Sequence, residues 1–392
     1  MRNPRFSAQV LLLLANTLLV QAVTFMLRPA STYQALELDV PAAWLGVLGA
    51  SFALAPLALA VPSGQAVDRL GERRIVVAGS VLLIGAAACF ALAGRSVAGL
   101  VAASTLLGTG HLCSVVGQQA LVANSTAADR YDTAFGHYAF VASVGQALGP
   151  GLIVLFGGRA PIPDTGAIFV AAVVLCVPLL VAALFLRSSP AHEPGTARAR
   201  GGMASLLRQP GLARALLVSC IVLAAIDITL VYLPALGTER GIAAAAIGAL
   251  LTARAIASMI SRLFLGRLAA AFGRGRLLTG TAVLSAAGLA LLLLPMPVWL
   301  MGVVVVVAGF GLGAGQPLTM SYLAEAAPPG LRGRAMSLRL TGNRLGQVLI
   351  PSMAGVLAAG AGAAGVLALT AVGLAGAAVA ATGLYRAHGP PP

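Results

Sequence analysis

The chain contains no lysine: all 25 of its basic residues are arginine, and only 11 acids oppose them. Charged residues are 9% of the 392, while 59% are hydrophobic and mean hydropathy is +0.95. That scarcity of charge excludes an ordinary soluble domain, whose surface must face water. The formal net charge of +14 does not indicate nucleic acid. The arginines are scattered through short connections, with no aromatic interleaving and no patch. Cysteine is equally sparse. Cys89, Cys113, Cys176 and Cys220 each fall in a different apolar run without metal-ligand spacing, so neither a metal site nor disulfides are expected. No Walker-type phosphate loop, His-Glu-x-x-His pair or aspartate-rich motif occurs, so no cofactor and no catalysis are expected.

What the chain has in abundance is apolar runs of bilayer length. Twelve are expected, at about 8–27, 42–62, 75–94, 98–123, 135–157, 166–187, 214–236, 243–265, 277–295, 300–325, 335–358 and 364–385. The runs are continuous rather than alternating, which excludes a barrel. The fold class is all-α, polytopic, with two six-helix bundles. These are expected at 1–187 and 214–392, joined by a connection at 188–213. The first run is too long for a signal-peptide core and lacks a convincing cleavage site, so it reads as span 1. With both termini cytoplasmic, 18 arginines fall on inside loops or span ends and 4 on outside loops. That asymmetry sets the orientation. Arginine in place of all lysine, with abundant alanine and glycine, fits a GC-rich coding sequence and a bacterial inner membrane. A multi-pass monomer in the lipid bilayer is expected, with no nucleic-acid partner.

The densest charge lies at Gly64-Gln65-Ala66-Val67-Asp68-Arg69-Leu70-Gly71-Glu72-Arg73-Arg74, five charges in seven residues between two apolar runs. Hydrocarbon cannot hold them, so the stretch reads as a short loop at the membrane surface. A degraded copy follows 202 residues later, from Gly266 to Arg276, with Ala270 in place of the acid. Gly117-Gln118 matches Gly315-Gln316 at an offset of 198. Gly145 to Pro150 matches Gly346 to Pro351 at 201. Three matches in order indicate an internal duplication. Two like-oriented six-helix halves are a transporter architecture, with substrate bound near the bilayer midplane.

Polar residues inside spans are costly and therefore informative. Spans 3, 6, 9 and 12 hold almost none beyond serine and threonine. Elsewhere stand Asn16 and Gln21 in span 1, His111, Gln118 and Gln119 in span 4, His137 and Gln146 in span 5, and Asp227 in span 7. Arg254 stands in span 8, Gln316 in span 10, and Arg339, Asn343, Arg344 and Gln347 in span 11. Every third helix is thus expected to face lipid, the others a wet path. Asp227 is the only acid deep in a span. It either carries a proton or is held ionised by Arg254. His111 is a second titratable candidate, against the commoner neutral, hydrogen-bonded histidine. Arg339 is expected to snorkel to the surface. Arg344 could meet an anion, and Arg28 could guard the outer mouth. Gly309, Gly311, Gly313 and Gly315 read as helix packing, since no strand precedes them.

The motif Gly64-x-x-x-Asp68-Arg69-x-Gly71-x-Arg73-Arg74 resembles the signature of the major facilitator superfamily, and the resemblance spans essentially the whole chain. Gly136, Gly145, Gly149 and Pro150 are similar to the helix 5 motif of its antiporter branches, although Ile153 and Val154 replace the closing glycine pair. The resemblance implies two six-helix bundles, with helices 1, 4, 7 and 10 lining a cavity. It also implies a gating contact from Asp68 to the start of helix 11, which Ala270 would leave one-sided. The arginine that the family's helix 4 motif places ahead of Gly108-Thr109-Gly110 is Ser104 here, against simple proton antiport. The expected function is alternating-access transport of a small organic molecule, in the first instance proton-coupled efflux. The alternatives are organic-anion uniport or symport, then a transporter-like sensor or a membrane enzyme.

Overall fold

A computed structural model describes residues 4–38, 42–157, 163–189, 209, 211–242, 244–327 and 331–386. Among them there are helices and no strand. In order they are α1 (Pro4–Glu37), α2 (Ala42–Leu70), α3 (Glu72–Ala93), α4 (Val97–Ser125), α5 (Tyr131–Gly157) and α6 (Thr165–Phe185). Then follow α7 (Leu212–Glu239), α8 (Ala244–Leu263), the short α9 (Leu265–Phe272), α10 (Arg274–Leu291), α11 (Val298–Ala326) and α12 (Arg332–Arg386). A single turn, Ala128–Arg130, precedes α5. Every expected span falls on one of these helices to within a few residues, and spans 11 and 12 are the two limbs of α12. The limbs part at Gly362, whose φ of 63° favours a residue without Cβ. Glu239 accepts the Ala363 N–H at 2.8 Å, capping the second limb. The connection expected at 188–213 lies outside the described residues except for its ends and Gln209. Among the described residues seven helices are long and apolar enough to cross a membrane, and eight if α8 and α9, bent by 65°, form one span.

The chain divides into two compact units, each built mainly from one half of the sequence plus a short segment of the other. The first comprises Met1–Ser125, Val141–Arg200 and Pro329–Ser337. The second comprises Thr126–Phe140, Gly201–Pro328 and Leu338–Pro392. This differs from a clean cut at the central connection. The starts of α5 and α12 each belong to the opposite unit, because each packs on a motif at a helix end there.

In the first unit α3 and α4 pack together, α4 also meets α1 and α2, and α6 meets α1 and α3. Val23, Leu27, Leu83, Phe90, Leu107, Ile168 and Phe169 form its apolar core, with Phe90 stacked on Phe169. In the second, α11 is the hub for α7, α8 and α10. Lipid tails are as apolar as leucine, so helices associate here through close packing rather than escape from water. The α11 glycines serve that purpose. A Cβ on Gly309 or Gly313 would collide with α8, one on Gly311 with α10, and one on Gly315 with Val222 of α7. Val170, Val174, Val177, Val181 and Leu184 make an exposed apolar stripe on α6 at helical spacing, suited to acyl chains.

Candidate functional site

The Gly64–Arg74 motif is not a loop. The α2 helix carries its charges clear of the apolar run and continues to Leu70. Only Gly71, at φ 87°, breaks it before α3 begins. Asp68 is turned onto the first turn of α12. Its Oδ1 accepts from Gly333 N–H at 2.8 Å and its Oδ2 from Arg334 N–H at 3.1 Å, with the Arg334 Nε 3.6 Å away. A carboxylate on exposed helix N–H groups satisfies orphan donors and meets the positive end of the dipole. Gly64 makes room for this, since a Cβ there would strike Ser337 and the Gly333 carbonyl. Glu72 is fully buried and accepts from Asn124 Nδ2 at 2.6 Å. Arg332 donates to the Ala123 carbonyl at 2.8 Å and to Asn124 Oδ1 at 3.2 Å. Arg73 grips the Leu184 carbonyl at the end of α6, while Arg69 and Arg74 are exposed.

The expectation that Ala270 leaves the second copy without a lock is corrected. Arg274, in the first turn of α10, donates to Asp132 at 2.5 Å, to Glu325 at 2.6 Å and to the Ala128 carbonyl at 2.7 Å. The acid moved from the motif to the partner segments, and the motif supplies the base. Gly136 belongs to this site rather than with Gly145 and Gly149: a Cβ there would meet the Arg262 carbonyl and Leu265. Gly145 and Gly149 instead admit α1, at Leu18–Gln21 and Ala22–Met26 respectively. The side chain of Pro150 lies outside the described residues.

Deeper in the spans, the polar residues form a pair of matched clusters. In the first unit Gln118 Nε2 donates to Asn16 Oδ1 at 2.7 Å, and Asn16 donates to the Leu179 carbonyl at 3.0 Å. Above it, Gln21 Oε1 lies 3.4 Å from His111 Nε2 and accepts from Gln146 Nε2 at 3.4 Å. Phe52 tilts against His111 and lies under the exposed Arg28 guanidinium, 4.5 Å from its ring centroid. In the second unit Gln316 Nε2 donates to the Ser219 carbonyl at 2.6 Å, and Ser219 Oγ donates to Asn343 Oδ1 at 3.0 Å. Arg339 donates to Gln316 Oε1 at 2.9 Å. Ser219 was not among the sequence candidates, yet it stands 203 residues after Asn16, as Gln316 stands 198 after Gln118. The duplication offset finds it. Arg339 does not snorkel: it is 2% exposed, and its guanidinium donates into the cluster. Arg344 is half-buried.

Asp227 and Arg254 share the second unit. Arg254 is 7% exposed, feels the charge of Asp227, and has a buried Nε with no hydrogen-bond partner among the described residues. Asp227 is half-buried. Burying such a guanidinium costs several kcal/mol unless a counter-charge offsets it, and Asp227 is an acid whose charge reaches it. No group of three or more potential metal ligands occurs among the described residues.

The sequence profile of the Major Facilitator Superfamily matches residues 13–241 and 215–392. Myo-inositol transporter 1 of Saccharomyces cerevisiae is 35% identical over 96 residues, which is 24% of this chain and only 16% of the yeast protein. Among solved structures, the human organic anion transporter MFSD10 (TETRAN) superposes with a TM-score of 0.77 at 16% identity, covering 97% of this chain and 100% of that one. The Escherichia coli fucose:proton symporter FucP gives 0.81 at 14%, over 94% and 97%. A bacterial homologue of the iron transporter ferroportin, in its outward-facing state, gives 0.82 at 15%, over 98% and 100%. At these identities the structures speak for the fold alone. Profile, helices and motif geometry agree: the chain belongs to the Major Facilitator Superfamily.

Proposed function

We propose that the chain is a secondary active transporter that moves a small organic anion together with a proton by alternating access, as a monomer in a bacterial inner membrane with both termini cytoplasmic. The observation that carries this reading is the charge of the half-buried Asp227 acting on the buried Arg254 within one unit. Within the described spans the embedded cations Arg254, Arg339 and Arg344 face one deep acid, Asp227, so a path beside them favours negative solutes. An anion that takes Arg254 removes the counter-charge of Asp227. The carboxylate, left half-buried in a poor dielectric, then gains a proton. Anion and proton therefore bind with positive coupling, typically ~1–3 kcal/mol, and both travel together. The Asp68 and Arg274 locks hold helix ends on the proposed cytoplasmic side, and their making and breaking gives the site its two exposures.

Embedded arginines weigh against efflux of neutral, partly hydrophobic molecules as the main activity. Export by exchange keeps one specific support: Gly145 and Gly149 pack against α1 in the antiporter-like motif. Proteoliposomes with imposed pH gradients, assayed across a panel of carboxylates and neutral sugars, separate the two. Asp227→Asn is expected to abolish proton-driven accumulation of a carboxylate while sparing its exchange across the membrane without a gradient. Unchanged accumulation by the variant would remove Asp227 from the proton path.

A further inference from the structure

Where the proposed cytoplasmic ends of α1, α3 and α6 meet, a cavity of about 560 Å³ opens on the protein surface. Its wall includes Gln9, Leu12, Arg73, Leu184, Phe185 and Arg187. None of these residues takes part in the Asp227–Arg254 chemistry or in the two locks' acid contacts. We propose that this cavity binds the phosphate of an anionic phospholipid from the cytoplasmic leaflet, with the lipid's acyl chains lying along α6.

Charge argues for the head group. Two guanidiniums lie on the cavity wall, and among its described lining residues there is no carboxylate. The nearest acid in sequence, Glu72, is buried and engaged with Asn124. The end of a helix would ordinarily repel a phosphate, because its last carbonyls point outward. Here those carbonyls are already covered. Arg73 donates to Leu184 O through Nε at 3.2 Å and Nη2 at 2.8 Å, and Gln9 Nε2 donates to Phe185 O at 3.2 Å. Gln9 Oε1 in turn accepts the Arg187 N–H at 2.9 Å, and Ser188 Oγ accepts the Arg73 N–H at 3.2 Å. Arg73 is thereby held in place, with no hydrogen bond from its Nη1 among the described residues, on the same cavity wall as the exposed Arg187. Two such donors suit a phosphodiester better than a point charge would.

Hydrophobicity argues for a lipid rather than a free anion. Phe185 is 65% exposed and Leu184 45%, both lining the same cavity as the arginines, and the apolar stripe of α6 runs back along the helix from Leu184. A soluble phosphate would have no use for that wall, whereas a diacyl chain matches it. The cavity volume falls inside the ~300–1,000 Å³ range of small-molecule sites.

Native mass spectrometry of the full chain, released from detergent carrying phosphatidylglycerol or phosphatidylcholine, tests the proposal. Wild type is expected to retain one phosphatidylglycerol and to release phosphatidylcholine. The double variant Arg73→Gln with Arg187→Gln is expected to lose that retention by about 10-fold or more. Leu12→Trp, which fills the cavity and leaves both charges, is expected to lose it as well. Arg95→Gln, the loss of one exposed charge elsewhere, is expected to change nothing. Equal retention of both lipids, or undiminished phosphatidylglycerol on both cavity variants, overturns the site. Thermal stabilisation by inorganic phosphate alone that matches phosphatidylglycerol overturns the lipid assignment in favour of a soluble anion.

Discussion

The two motif copies reach the same end by opposite chemistry. In the first, an acid on the end of α2 caps backbone N–H groups of α12; in the second, an arginine opening α10 bridges Asp132 and Glu325. The acid of the first tether, Asp68, has Ala270 as its counterpart, and the base of the second, Arg274, has Glu72, so the charge changes sign at a neighbouring position of the motif. Glu72 and Arg274 stand 202 residues apart, Asn124 and Glu325 stand 201 apart, and each pair occupies the corresponding place in its unit. The fold requires a tether at that point, but it leaves open which side supplies the negative charge. The two tethers differ in kind. Capping depends on backbone placement and tolerates a neutral acceptor in part. A side-chain ion network depends on sign, and fails when one partner is reversed.

Four substitutions sharpen that contrast. Arg274→Glu sets a third carboxylate against two others, one of them buried, and is expected to cost about 3–5 kcal/mol. Thermal unfolding in detergent and loss of transport by more than 10-fold measure it; a wild-type melting point would mean that the network holds nothing. Gly64→Ala pushes a methyl group into a backbone carbonyl, for about 1–3 kcal/mol. Gly266→Ala meets no carbonyl: the Thr133 hydroxyl can turn away and only the Thr133 Cβ, at 2.9 Å, must shift, so a somewhat smaller cost is expected. Equal losses from the two would erase the distinction between a backbone tether and a side-chain one. Asp68→Asn keeps acceptor capacity and loses charge, so about 1 kcal/mol is expected. Cysteine labelling on the two membrane faces should then show a several-fold shift toward the state open to the cytoplasm, and no shift would count against the lock.

Much of this fold is legible in the sequence because bilayer length is a coarse and strong signal. The twelve apolar runs all lie on helices, and the glycines of α11 read correctly as packing points. Helix ends were less legible. The run from Gly64 to Leu70 carries loop-like charge yet stays helical, since a helix leaving the bilayer can carry charge into water at no cost. The start of α5 packs with the second unit because Gly136 and Thr133 meet the ends of α8 and α9, a long-range pairing that local pattern does not encode. Among candidate site residues, Asp68 stands out through its motif and Gln118 through the duplication, while the bond from Gln118 to Asn16 comes only from the packing of α1 on α4. Arg274 was visible only as a generic basic end, because its importance lies in Asp132 and Glu325, 142 and 51 residues away. Arg339 was misread as a surface residue because sequence gives depth along a helix but not the neighbours that surround it.

The central claim is that anion and proton cross together because Arg254 takes the one and Asp227 the other. Its most direct measurement loads proteoliposomes with a pH-sensitive dye and adds a transported carboxylate outside, with no imposed gradient. The account predicts that the lumen acidifies as the anion enters, and that Asp227→Asn admits the anion without acidification. A lumen that turns alkaline during wild-type uptake, or anion entry with no proton movement at all, would contradict it.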